Sequence, residues 1–205
     1  EVDIRVIEEF RKQSIPVVLV NNYLDMDGLV CISADHYGGA VQATEYLCKL
    51  GHCKIGLLSG RFSPQVSEAR IEGFVKTLAK YDIPVDDRFI ADIEPALEDG
   101  EEIMTRMLRE VDRPTAFFCT NDTIAAGAMK AVTRAGLRVP EDIAIIGFDD
   151  SYISRVVEPE LTTVRIDAAK MGCLAMQTLF DLIAGMPVEK AHIQIPTELI
   201  VRGTA

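Results

Sequence analysis

The feature that most constrains this chain is an alternation running along its length. Short apolar, β-branched runs are separated by stretches with helical spacing. Pro16 opens Val17-Val18-Leu19-Val20, a continuous apolar run of the kind that forms strands buried on both faces of a parallel sheet. Val30–Ala34 and residues 54–59, 89–93, 115–120, 143–148 and 162–166 read the same way, and 193–195 and 199–202 finish the chain as strand pieces. Helical patterns fill the intervals: 2–12, 38–50 stopped by Gly51, 68–80 with Ser67 as its cap, 99–110, 122–135 closed by Gly136, and 168–184 closed by Gly185. Alternation with short connections predicts an α/β fold of doubly wound parallel sheets, with right-handed crossovers placing helices on both faces.

Composition narrows the function. The 205 residues are 48% hydrophobic and 26% charged, an ordinary globular balance. A formal net charge of −11 repels phosphate backbones, so this stretch is not expected to grip DNA by itself, although acidic surfaces are common on soluble proteins of every kind. Five cysteines, an odd number mostly in apolar runs, fit reduced, buried thiols in a cytoplasmic protein better than a disulfide scaffold. Cys48, His52 and Cys53 cluster, but zinc sites need four ligands, so no metal and no cofactor are expected. No apolar run approaches the roughly 18 residues of a membrane span. The chain opens with Glu1 inside a helix-like segment, which reads as a piece of a longer protein.

Catalysis finds little support. The sequence holds no G-x-S-x-G elbow, phosphate-binding loop or dinucleotide fingerprint. The neighbouring Asp149 and Asp150 diverge on a strand and would not flank one scissile bond. His36, His52 and His192 lack partner motifs, and His52 reads as fixing the turn before the next strand. No enzymatic activity is expected.

Doubly wound sheets bind ligands beyond the carboxyl ends of their strands. The residues there are Asn21, Asp35, the 60–67 loop, Glu94-Pro95, Asn121-Asp122 and Asp149-Asp150, mostly polar. They suit a hydrogen-bonding cleft. Solvation of loops explains their polarity equally well, so chemistry alone leaves the two readings open.

A series of motifs is more specific. Leu50-Gly51-His52 precedes an apolar strand and Ser59-Gly60; Arg70-x-x-Gly73-Phe74 follows; then come Arg113-Pro114-Thr115-Ala116-Phe117, Asn121-Asp122 and Gly127. After these stand the run from Gly136 to Ile143, Gly147-Phe148-Asp149-Asp150, and Pro159-x-Leu161-Thr162-Thr163-Val164. In order and spacing this series resembles the effector-binding domain of the LacI/GalR family of transcriptional regulators, over essentially the whole chain. The resemblance implies a periplasmic-binding-protein-like fold of type I, with two doubly wound subdomains and a hinged cleft. The expected division is 1–52 plus 164–190 for the first subdomain and 53–163 plus 191–205 for the second. The family's helix-turn-helix headpiece, hinge and first strand–helix–strand unit have no counterpart here. The first subdomain is therefore expected to be incomplete, with an exposed sheet edge.

By the same resemblance Arg70 is the cleft arginine, whose five donors suit hydroxyls, carboxylates or phosphates. Asp149 is the cleft aspartate, able to accept hydroxyl hydrogen bonds, and it is weighted above Asp150, which points the other way or caps the next short helix. Asn121 joins them, with Asp122 read as a helix cap. Asp35 lies at or beside the cleft. Pro64, Val66 and Pro95 stand where the family varies its ligand contacts, and they are apolar here. The implied effector is a small polar molecule: a sugar or sugar phosphate first, a nucleobase next. Its binding would favour one hinge angle in a homodimer and alter operator binding through the absent headpiece. The alternative is a periplasmic sugar-binding protein of a transporter, which shares the fold.

Overall fold

The computed structural model describes residues 3–24, 26–188 and 191–205. They form two compact units. The smaller holds residues 1–35 and 167–196, the larger 36–166 and 197–205.

In the smaller unit, β1 (Val18–Val20), β2 (Val30–Ala34) and β8 (His192–Ile195) form a parallel sheet in the order β1-β2-β8. β2 is buried at all five positions, as a central parallel strand should be. The helix α1 (Ile4–Lys12) is capped by Asp3, whose carboxylate accepts from the Arg5 amide, and it sends Ile7 against Leu19, Leu29 and Cys31. Asp167 caps α6 (Ala168–Ile183), which packs on β1 and β2.

The larger unit is a six-stranded sheet in the order β4-β3-β5-β6-β7-β9. Its strands are β3 (Ile55–Gly60), β4 (Ile90–Ile93), β5 (Ala116–Cys119), β6 (Ala144–Asp149), β7 (Thr162–Arg165) and β9 (Glu198–Ile200). All pairings are parallel except β7 with β9. That antiparallel edge departs from an all-parallel expectation: β9 follows β7 only after α6 and β8, and pairs with it in the opposite direction.

Period-two geometry divides the core. Phe117 and Cys119 of β5 face one side, with α4 (Leu97–Met107) and α5 (Asp122–Arg134). Ala116 and Phe118 face the other, with α2 (His36–Lys49) and α3 (Pro64–Lys80). The chain runs from β3 outward to β4, then returns across β3 to β5. The direction of winding therefore reverses between β3 and β5, the position where open α/β sheets form a crevice beyond their strand ends.

Several boundaries differ from the sequence expectation. The units divide after residues 35, 166 and 196, rather than after 52, 163 and 190. The largest change concerns α2: its Ala40, Ala43 and Leu47 pack with Phe74 and Leu78 of α3 on the larger sheet, so the whole helix belongs to that unit. The helix α3 begins at Pro64, four residues earlier than expected, because proline suits a first helical position. Ser67 is then inside the first turn. Its hydroxyl donates to the Gly60 carbonyl and accepts from the Phe62 amide, tying down the loop after β3.

Candidate functional site

At the reversal between β3 and β5 the structure places Arg70. The buried stripe of α3 that carries Phe74 and Leu78 into the core begins with this residue, whose side chain is 3% exposed. One terminal nitrogen donates to the backbone carbonyl of Thr120, just beyond β5. The other donates to Asp149 Oδ1 at 3.4 Å and lies 3.2 Å from His36 Nδ1. The guanidinium carbon is 3.9 Å from the Phe148 ring centre and 5.0 Å from that of Phe62, and these cation–π contacts offset part of its desolvation. Thr120 itself is fixed: its hydroxyl accepts from the Gly60 amide at 2.7 Å and its amide donates to Leu58.

Burial sets the electrostatics. It lowers Arg70 to about 10, with Asp149 working against the shift, so the cation persists at neutral pH. Burial raises Asp149 to about 6, against the pull of Arg70. His36 is held down to about 3, first by burial and then by the Arg70 charge, and is neutral. A guanidinium has no acceptor, so His36 Nδ1 accepts and the ring proton resides on Nε2.

Asp149 and Asp150 serve opposite sides of one turn. Both have positive φ, 110° and 50°. The Asp149 side chain is 36% exposed and faces Arg70. The Asp150 carboxylate is 2% exposed. It accepts from Arg202, from Arg165 Nε at 2.8 Å, from Arg155 at 3.4 Å and from the Ser154 hydroxyl at 3.1 Å. Burial pushes Asp150 up, but the Arg202 and Arg165 hydrogen bonds prevail and hold it near 2. Asp150 is thus an ionic anchor for β6, β7 and the segment after β9.

The cap assignment at α5 is reversed from the sequence expectation. Asn121 is the N-cap, its side-chain oxygen accepting from the Ile124 amide at 2.8 Å. Asp122 is the first helical residue; it accepts from the Thr163 hydroxyl and from the Ser151 amide at 2.6 Å, and so braces the turn after Asp149. Burial raises its carboxyl above the ordinary range.

The remaining candidates stand on other elements. Pro64 is exposed at the start of α3, and Val66 is half-buried one turn short of Arg70. Pro95 is half-buried between β4 and α4. Asp35 closes β2 in the smaller unit, where its amide donates to Ile195. His52 bonds the Thr115 hydroxyl at 2.8 Å and joins the segments before β3 and β5, as its reading as a turn-fixing residue anticipates. All five cysteines are free; Cys31, Cys48 and Cys119 are buried, and Cys53 and Cys173 are exposed. Among the described residues no cluster of three or more His, Cys, Asp or Glu could hold a metal. No described helix is long and apolar enough to cross a membrane. Sequence reasoning gave His36 and Thr120 no part in the site and named Phe62 only as a member of the 60–67 loop. Their one common signal is position, within two residues of a strand's carboxyl end.

Residues 44–205 match the family described as periplasmic binding protein-like domain. The chain is 36% identical over 191 residues to the HTH-type transcriptional repressor PurR of Pasteurella multocida (strain Pm70), which covers 92% of this chain and 57% of that protein. It superposes with a TM-score of 0.90 on a regulatory protein of LacI family from Chloroflexus aggregans, at 31% identity over 97% of this chain and 71% of that one. A LacI family transcriptional regulator from Enterococcus faecium, solved with bound ribose, matches with a TM-score of 0.89 at 26% identity, over 99% of this chain and 75% of that one. The chain spans little more than half the length of the curated relative. The family match, the sequence identity and the superposition agree: the chain belongs to the periplasmic binding protein-like domain family, in the form found in LacI-family transcriptional repressors.

Proposed function

We propose that this chain is the effector-sensing part of a transcriptional repressor and that its ligand is a small hydroxylated molecule, a sugar or sugar derivative. The observation that carries the reading is the buried Arg70, fixed by Thr120 and set against the more exposed carboxylate of Asp149 at the winding reversal. A carboxylate accepts two hydroxyl hydrogen bonds from a polyol, and a charge fixed in a dry setting gives them direction. The ribose held by the Enterococcus faecium relative supports the class. Asn121 contributes by seating α5 and the Thr120 carbonyl beside it. In the intact protein, a cytoplasmic homodimer, ligand binding alters operator affinity. The acidic chain described here senses, and a separate segment reads DNA. No step of this activity is catalytic.

The test is calorimetric titration and thermal shift with a panel of monosaccharides, sugar phosphates and nucleobases on the wild type, Arg70→Lys and Asp149→Asn. A ligand at 100 times its Kd should stabilise the fold by about 2.7 kcal/mol. Both substitutions should weaken binding at least tenfold. Unchanged binding in both variants rejects the site.

A further inference from the structure

We infer that His36 is a specificity-determining residue, which by accepting one N–H of Arg70 closes the arginine's forked edge and selects an uncharged hydroxylated ligand over a carboxylate or phosphate. The inference rests on the reading of Arg70 and Asp149 as the ligand site.

The accounting starts from the five N–H groups of a guanidinium. Recognition of an anion uses two parallel N–H bonds from one edge of that fork. In this protein one terminal nitrogen directs its two hydrogens to His36 Nδ1 and Asp149 Oδ1. The other terminal nitrogen gives one hydrogen to the Thr120 carbonyl. The Nε–H is buried without a partner among the described residues. The Phe148 ring lies against one face and the Phe62 ring near the guanidinium as well. Each edge containing a terminal nitrogen is thus partly occupied, and a bidentate anion finds no pair of parallel donors. An incoming anion would also meet the Asp149 carboxylate. A neutral hydroxyl meets neither obstacle, since it can donate to Asp149 and accept a single remaining N–H.

His36 is suited to this task because it is the first residue of α2, fixed by the packing of that helix on α3, and its ring is 6.1 Å from that of Phe148. A neutral imidazole takes one hydrogen from the guanidinium without cancelling its charge. An acidic residue there would cancel the charge, and an aliphatic one would leave the N–H for a ligand.

The experiment compares D-ribose, D-ribose 5-phosphate and inorganic phosphate on the full-length protein, with wild type, His36→Asn and His36→Ala. The wild type is expected to prefer ribose over both anions by at least tenfold. His36→Ala should lower that ratio at least fivefold, and His36→Asn, which keeps an acceptor near the Nδ1 position, should restore it. Equal ratios in the wild type and His36→Ala overturn the inference, as does a wild type that prefers either anion. Arg70→Lys and Asp149→Asn run in parallel. If they bind as the wild type does, the site itself is misassigned; if they lose binding while His36→Ala keeps the wild-type ratio, the role of His36 alone falls. A ligand-free arm stands independently of the probes: nitrogen-15 NMR should show His36 as the Nε2–H tautomer at pH 7. The Nδ1–H tautomer or an imidazolium overturns the inference.

Discussion

Arg70 and Asp149 are 79 positions apart in the chain, yet their side chains meet at 3.4 Å with unequal access to solvent: the cation is almost wholly enclosed and the carboxylate is about one-third open. In the proposed site a ligand would meet the carboxylate first, with the arginine as fixed charge behind it. Because Asp149 is raised from 3.8 to about 6, the carboxylate proposed to accept hydroxyls is half lost at pH 6. For folding the sign is opposite: a raised acid stabilises the native state below about 3.8, and that contribution disappears as the pH rises through 6. Affinity for D-ribose should accordingly rise close to tenfold between pH 5 and 7, and Asp149→Asn should flatten the profile. A flat wild-type profile by calorimetry would contradict this.

His36 has the reverse sign for stability. Its imidazole is depressed from 6.5 to about 3 in the folded protein, so its contribution is complete above 6.5 and is lost as the pH falls through the window down to 3. The full shift corresponds to about 5 kcal/mol for this buried ring. His36→Asn, which cannot titrate, should gain stability relative to the wild type as the pH is lowered from 7 to 4. Urea unfolding at a series of pH values reads the difference directly; parallel curves for the two proteins would refute it.

Asp150 should matter for folding more than for binding. Replacing it with Asn leaves Arg202 and Arg165 facing a neutral, weaker acceptor in a closed setting. Removing one partner of such a network costs about 3 kcal/mol. Denaturant unfolding should show that loss, with D-ribose affinity of the folded fraction changing less than threefold.

Gly127 tests the packing of α4 against α5, the helix that Asn121 caps and Asp122 begins. A Cβ at this position would lie 2.1 Å from the Leu97 carbonyl oxygen and 2.8 Å from the Glu101 amide nitrogen, both backbone atoms that cannot swing aside. Gly127→Ala should therefore separate α4 from α5 and destabilise the protein by about 2 kcal/mol, despite alanine's better helix propensity. A stability equal to or above that of the wild type would show that the helices adjust.

Much of this architecture is legible in the residues. The continuous apolar strands and glycine-stopped helices predict the sheets, because burial on both faces leaves no polar face to confuse the period. Motif order singles out Arg70 and Asp149, which the structure brings into contact. The helix starts are harder. Asn121 and Asp122 are both good cap residues, and which of them caps depends on Thr163 and Ser151, residues distant in the chain that claim the Asp122 carboxylate. The division into units is hidden for a similar reason: the apolar face of α2 specifies that it packs, and its choice of sheet depends on shape matching with α3. His36 carries no local mark of its role, since its significance lies in a guanidinium 34 positions away.

The paired aspartates after β6 have a consequence for redesign. Their successive positive-φ residues aim one carboxylate at Arg70 and lock the other among arginines. The turn is thereby attached to the scaffold through position 150 and exposed to selection through position 149. An engineer seeking a new inducer could diversify 149 together with Phe62 and Val66 while holding Asp150 constant. Asn or Gly at 149 would keep the backbone path, since both accept the left-handed region, whereas β-branched replacements would oppose it. Libraries built on that rule should retain folded members at a higher rate than libraries that vary both aspartates.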